Sequence, residues 1–296
     1  MGTRVAGVWS GFVWPRSSSG LGTVTAITWW GTSDESEQNM NVANWRVVLT
    51  GHSRGLGAAL ARALLARGIS VLGLSRQALT GVPGQQAAQL TEVALDLSDV
   101  SAVEAWLASG RLGSWLAGAE HTLLVNNAGT VAPIGAAGGL QPGTSGQVGL
   151  GPLARAIALN VTTPLVLTDA FVAATRGRAD RRVAHVSSGA ARNPYPGWST
   201  YCATKAALDM HARATQLDAV PGLRVASVAP GVIDTDMQAD IRAASAADFP
   251  MHARFVAMKQ DGQLTAADDA AQRLVAYFLS DAFGSDPTPD IRQVSV

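Results

Sequence analysis

Trp45-Arg-Val-Val-Leu-Thr50 runs directly into Gly51-His-Ser-Arg-Gly-Leu-Gly57 and then into Ala58-Ala-Leu-Ala-Arg-Ala-Leu-Leu65. The first stretch reads as a short apolar strand over Arg46–Thr50. The second is a turn with three glycines, and the third opens an Ala/Leu-rich helix that reaches about Arg67. The same alternation continues outward. Strands are predicted at Ile69–Leu74, ending near Ala94-Leu95, at Thr122–Val125, Arg182–Val186 and Arg224–Val228. Helices are predicted at Leu153–Thr175, Ser199–Val220 and Ala266–Leu279. Near-continuous apolar strands separated by helices imply an α/β fold, a doubly wound parallel sheet with helices on both faces.

Composition narrows the function classes. Among 296 residues, 22 Lys plus Arg balance 22 Asp plus Glu, so a nucleic-acid or polybasic membrane binder is disfavoured. Hydrophobic residues at 47% against 15% charged exclude wholesale disorder. No run of 18 consecutive apolar residues suggests a membrane span. Cys202 is the single cysteine, and His52, His121, His185, His211 and His252 lack ligand spacing, so no metal site is expected. A soluble, cytoplasmic globular protein is the expectation.

Residues 1–44 differ from the rest. They hold four of the eight tryptophans without helical or strand periodicity. Gly7, Gly11 and Pro15 interrupt every apolar run, which argues against a signal peptide. This segment is read as a flexible N-terminal extension, with Met40 as a natural start, ahead of one domain over residues 45–296.

The glycine turn has two readings. Gly51, Gly55 and Gly57 between strand and helix suit a pyrophosphate at the helix N-terminus. Gly51-His52-Ser53-Arg54-Gly55 also matches the nucleophile elbow of α/β-hydrolases, with Ser53 as nucleophile. That elbow normally follows several strands, whereas this one follows the first. A dinucleotide-binding sensor without catalysis is a third possibility.

Later motifs favour the dinucleotide reading. Asn127-Ala128-Gly129 follows a strand, Asn160 lies in a helix, Ser188 follows a strand, and Tyr201-Cys-Ala-Thr-Lys205 opens a helix. Ser188 precedes Tyr201 by thirteen residues and Lys205 follows it by four. This order resembles the short-chain dehydrogenase/reductase family over residues 45–280, and implies a Rossmann-type domain. The resemblance implies Asn160, Ser188, Tyr201 and Lys205 as the catalytic set. Tyr201 would donate a proton to the carbonyl oxygen, Ser188 would hold that oxygen, and Asn160 would anchor a relay through Lys205. Tyr201 and Lys205 share a helix face at i, i+4. Lysine and the oxidised nicotinamide are expected to lower a tyrosine pKa from about 10.

The cofactor follows from the second strand. It ends Leu74-Ser75-Arg76 without an acid, and Arg54 adds a cation in the turn, so NADP(H) is favoured over NAD(H). The expected cofactor set is Gly51, Ser53, Arg54, Gly55, Leu56, Gly57, Ser75, Arg76, Asn127, Ala128, Gly129, Tyr201 and Lys205. By resemblance it also includes Asp96 and Leu97 beside the adenine, with Pro230, Gly231, Ile233 and Thr235 beside the nicotinamide.

Two stretches, Gly197–Met210 and Pro230–Gln238, resemble the sepiapterin and benzil reductase branch. This implies a small-molecule carbonyl substrate, diketone-like or pterin-like, with a general alcohol dehydrogenase or 3-oxoacyl reductase as alternative. A homodimer or homotetramer is also implied. Tyr195 and Trp198 are candidate pocket walls. Residues 236–263, with Met237, Phe249, Met251, Phe255 and Met258, read as an apolar lid, as packing helices, or both. Asp290 resembles a pterin-anchoring aspartate, although Asp286-Pro-Thr-Pro289 departs from that pattern; the alternative is a solvated aspartate near the chain end.

Overall fold

The computed structural model describes residues 44–136, 150–243 and 249–295. The extension expected over residues 1–44 therefore lies outside the described residues, Asn44 apart. Six strands form one parallel sheet: β1 (Trp45–Thr50), β2 (Ser70–Ser75), β3 (Leu90–Ala94), β4 (His121–Asn126), β5 (Asp180–Val186) and β6 (Leu223–Val228). Their order is β3-β2-β1-β4-β5-β6, so the direction of winding reverses between β1 and β4. Ligands in such sheets bind outside the carboxyl ends of the strands at that reversal.

The helices are α1 (Gly55–Leu65), α2 (Gly84–Ala87), α3 (Val100–Ala108), α4 (Arg111–Leu116) and α5 (Leu150–Ile157). They continue with α6 (Thr163–Ala174), α7 (Ser199–Leu217), α8 (Asp236–Ala243), α9 (His252–Gln260) and α10 (Ala267–Leu279). On one face α1 and α10 pack together and bury Leu60, Leu64, Leu274 and Phe278 over the sheet. On the other, Leu167 and Phe171 of α6 join Trp106 and Leu116 over Leu124 and Val183. The apolar stretch Gly151–Ala174 has a membrane-like mean hydropathy of 1.5, but its α6 half is a core helix of this layer.

A third apolar cluster stands apart from both layers. Val131, Ala190, Trp198, Tyr201, Ile241, Phe249 and Phe255 gather beyond the strand ends. They bring α8 and α9 against the start of α7, which fulfils the packing half of the expectation for residues 236–263.

The tail after α10 returns to β6. Ser227 and Ala229 donate their N–H groups to the carbonyls of Pro287 and Pro289 at 2.8 and 2.9 Å. Ile291 then donates to Ala229 O at 3.0 Å. Proline lacks an N–H but keeps its acceptor, so the Pro-Thr-Pro segment can still run beside the strand.

Candidate active site

The glycine turn is built by contacts that only glycine permits. A Cβ on Gly57 would lie 1.9 Å from Gly51 O, and Gly51 itself holds φ at +69° against Ala128. Asn127 pins this turn to the end of β4: its Nδ2 donates to Thr50 O at 3.0 Å and Gly51 O at 3.3 Å. Thr50 Oγ1 accepts the N–H groups of Asn127 and Ala128 at 2.9 and 3.0 Å. The result is a cradle at the N-terminus of α1, where free N–H groups face an anion.

This cradle forms one end of a cleft of about 1220 Å³ along the carboxyl ends of the strands. That exceeds the roughly 300–1,000 Å³ of an ordinary small-molecule pocket. Gly51, Ser53, Arg54, Gly55, Leu56 and Gly57 line it, as do Ser75, Arg76, Asp96, Leu97, Asn127, Ala128 and Gly129. Pro230, Gly231, Ile233 and Thr235 line it further along. At the β2 end, Arg76 faces Asp96, whose carboxylate is held below its usual range by hydrogen bonds from Ser98. Arg54 is exposed and lies 3.6 Å from Asp236. A cradle that tolerates no Cβ, a cationic rim and elongated space together fit a dinucleotide.

Ser188, Tyr195, Trp198, Tyr201 and Lys205 line the other end of the cleft. Ser188 caps the short turn Gly189–Ala191, accepting the N–H of Ala190 at 3.1 Å, and its hydroxyl faces that of Tyr201. Lys205 donates to Val186 O at 2.8 Å and lies 5.8 Å from the Tyr201 ring centre. Asn160 does not line the cleft. It sits in a π-helical turn, Ala158–Thr162, between α5 and α6, and exchanges hydrogen bonds of 2.9 and 2.8 Å with the backbone of Thr130. π-turns often mark functional positions. A Cβ on Gly129 would lie 3.2 Å from Asn160 Oδ1 and 3.6 Å from Lys205 Nζ, so the amide and the ammonium flank one small space.

Burial moves both Tyr201 and Lys205 away from their ordinary values. Burial pushes the Tyr201 phenol up to about 12, and the neighbouring Ser188 hydroxyl only partly opposes it. Burial also pulls Lys205 down to about 8, with Asp209 acting the other way. Desolvation dominates at the phenol, so Tyr201 carries its proton at neutral pH.

Three other expectations are revised or refined. Asp290 does not line the cleft; its carboxylate is taken by Arg292, at 2.9 Å to Nε and 2.6 Å to NH2. Arg292 lines the cleft instead, packing beside Gly231. Of the apolar set in residues 236–263, Met237, Phe255 and Met258 reach the cleft, while Phe249 is fully buried and stacks on Trp198 at 4.7 Å. For the hydrolase reading, His52 is buried and bonded to Glu92 at 2.6 Å, and no histidine lines the cleft among the described residues. Ser53 therefore has no histidine base there. Arg155 and Arg254 also line the cleft and were not anticipated. They arrive from remote parts of the chain, and no local motif marks them.

The model of the family described as short chain dehydrogenase matches residues 46–246. The chain belongs to that family and is an oxidoreductase. It is 34% identical over 235 residues to a benzil reductase ((S)-benzoin forming) of Bacillus cereus, covering 77% of this chain and 91% of the relative. It is 34% identical over 265 residues to the sepiapterin reductase of Rattus norvegicus, covering 83% and 96%. A crystal structure of a short-chain dehydrogenase/reductase from Burkholderia vietnamiensis, 46% identical, superposes with a TM-score of 0.60 over 86% of this chain and all (100%) of that one.

Proposed function

We propose that the protein is an NADPH-dependent carbonyl reductase for apolar, diketone-like substrates, with Tyr201 as general acid. The observation that carries this reading is the aromatic wall beside the Tyr201 ring, in the same cleft. Trp198 meets Tyr201 edge-on at 5.4 Å and Phe255 at 5.3 Å, with Tyr195 at 5.5 Å. Such a wall suits flat apolar groups flanking a carbonyl.

In this reading Gly51–Gly57 hold the pyrophosphate and Arg54 and Arg76 the ribose 2′-phosphate, while Lys205 holds the nicotinamide ribose. The bound nicotinamide would supply the hydride. Ser188 and Tyr201 hydrogen-bond the carbonyl oxygen and stabilise the charge that develops there. Tyr201, kept protonated by burial, gives its proton to that oxygen. Lys205, charged below about 8, favours the phenolate left behind. Pterin reduction is supported by the sepiapterin reductase relatives, but the pairing of Asp290 with Arg292 counts against a free carboxylate anchor. A cytoplasmic homo-oligomer is part of the proposal. Met210 and Leu217 on α7 and Leu153 and Ile157 on α5 are exposed apolar side chains on helices that pack together.

The test is turnover of benzil, simple ketones and sepiapterin with NADPH and with NADH, by wild type and Tyr201→Phe. The variant is expected to lose about 10²–10⁴-fold in kcat while binding NADPH as before. Turnover near wild type in Tyr201→Phe would reject the assignment.

A further inference from the structure

Asp209 lies one helical turn beyond Lys205 on α7 and is 5% exposed, and beyond favouring the Lys205 charge it has no part in the chemistry above. A buried carboxylate is costly unless donors surround it. Here three do. Oδ1 accepts from Ser187 Oγ at 2.6 Å and from Ser227 Oγ at 2.7 Å, and Oδ2 accepts from Arg192 Nε at 3.1 Å.

Ser187 immediately precedes Ser188, and Arg192 immediately follows the turn Gly189–Ala191 that Ser188 caps. One carboxylate thus grips the chain on both sides of Ser188. Its third donor, Ser227, belongs to β6, whose end is tied to the same segment by Ser187 N donating to Val228 O at 2.8 Å. Inside this frame the Ser188 hydroxyl is fixed by Ala190 N–H at 3.1 Å and faces Tyr201.

We propose that Asp209 is a positioning residue for Ser188: by clamping Ser187 and Arg192 it holds the serine hydroxyl where, with Tyr201, it meets the carbonyl oxygen. Small displacements of such a group cost rate while leaving a remote cofactor cradle intact. The inference rests on the proposed roles of Ser188 and Tyr201.

A double-mutant cycle between Asp209→Asn and Ser188→Ala tests it, with kcat, KM and the NADPH dissociation constant measured on each purified protein. Ser188→Ala alone is expected to lose about 10²-fold in kcat, as for loss of an oxyanion donor. Asp209→Asn alone is expected to lose about 10-fold in kcat, with NADPH binding within about twofold of wild type. In the Ser188→Ala background, at a pH well below the Lys205 value of about 8 so that the lysine stays charged, the same substitution should cost less than about twofold, because its effect passes through the missing hydroxyl. Equal losses in both backgrounds would overturn the proposal, and so would weakened NADPH binding in step with kcat. Should Asp209→Asn not fold, Arg192→Gln opens the partly exposed side of the clamp and must show the same non-additivity. Wild-type turnover in Ser188→Ala is a separate outcome, and would reject the underlying reading of the site.

Discussion

Arg292 holds Asp290 through two nitrogens, Nε to Oδ1 at 2.9 Å and NH2 to Oδ2 at 2.6 Å, and it is the arginine that faces the cleft. The pair occupies the place where a pterin anchor was expected from the sequence. A carboxylate whose two oxygens are already taken by a guanidinium has little left for a guanidine-like ring edge. Wild type is therefore expected to reduce benzil with a higher kcat/KM than sepiapterin. Asp290→Asn should change both substrates in parallel. A selective rise in KM for sepiapterin would restore Asp290 as an anchor.

The burial of Lys205 predicts an alkaline limit to reduction. Its ammonium is pulled down to about 8, while Tyr201 stays protonated far above that pH. Asp209 on α7 favours the charge, and His185 on β5 faces the lysine as a neutral ring, with its own pKa at about 3. As pH rises through about 8, the cation that favours the phenolate is lost, so kcat/KM should fall. Lys205→Arg stays charged throughout and should lose that falling limb, at a lower rate overall. An unchanged limb in this variant would assign the titration to another group.

The rim arginines should decide cofactor choice. Arg54 and Arg76 both line the cradle end of the cleft, where only NADPH presents a 2′-phosphate. Each charge-assisted contact contributes about 1.5–3 kcal/mol, less where it is exposed like Arg54. Replacing both by alanine should weaken NADPH at least about tenfold while leaving NADH nearly unchanged. Equal losses in titrations of the two cofactors would reject the role.

The central strands were legible because parallel strands buried on both faces are continuously apolar, as in Val47-Val-Leu49 and Leu123-Leu-Val125. The edge strand β3 was legible only at its end, since Thr91 and Glu92 are polar and exposed and break the apolar run. Short α3 was missed although Asp99 caps it, accepting from Ala102 N–H at 3.1 Å. Within the site, Tyr201 and Lys205 are local on one helix, and Ser188 follows a strand, so spacing marks them as candidates. Arg155 and Arg254 are brought to the cleft by tertiary packing alone. The clamp at Asp209 joins α7, β6 and the Ser188 turn, and no short motif records such a meeting. The pairing of Asp290 with Arg292, two residues apart, is local and of opposite charge, so the sequence carries a signal for it.

His185 should make the fold acid-sensitive. It is fully buried on β5, with Nδ1 3.1 Å from Asn126 Nδ2 and Nε2 3.1 Å from His211 Nδ1. The amide of Asn126 donates, so the ring's single proton lies on Nε2 and is given to His211. Burial, then His211 and Lys205, pull its pKa from 6.5 down to about 3. In the unfolded chain the ring takes a proton near 6.5, so between that value and about 3 the unfolded state binds more protons. Stability must then fall as pH is lowered through this window, by up to about 1.4 kcal/mol per pH unit for one such group. Asp180, whose pKa is also depressed by its arginine partners, adds to acid loss only below its ordinary 3.8. Denaturant unfolding between pH 6.5 and 3.8 therefore isolates the histidines. His185→Gln should be less stable than wild type at neutral pH but show a shallower decline over that range. The same slope in both proteins would mean that His185 takes up its proton without unfolding.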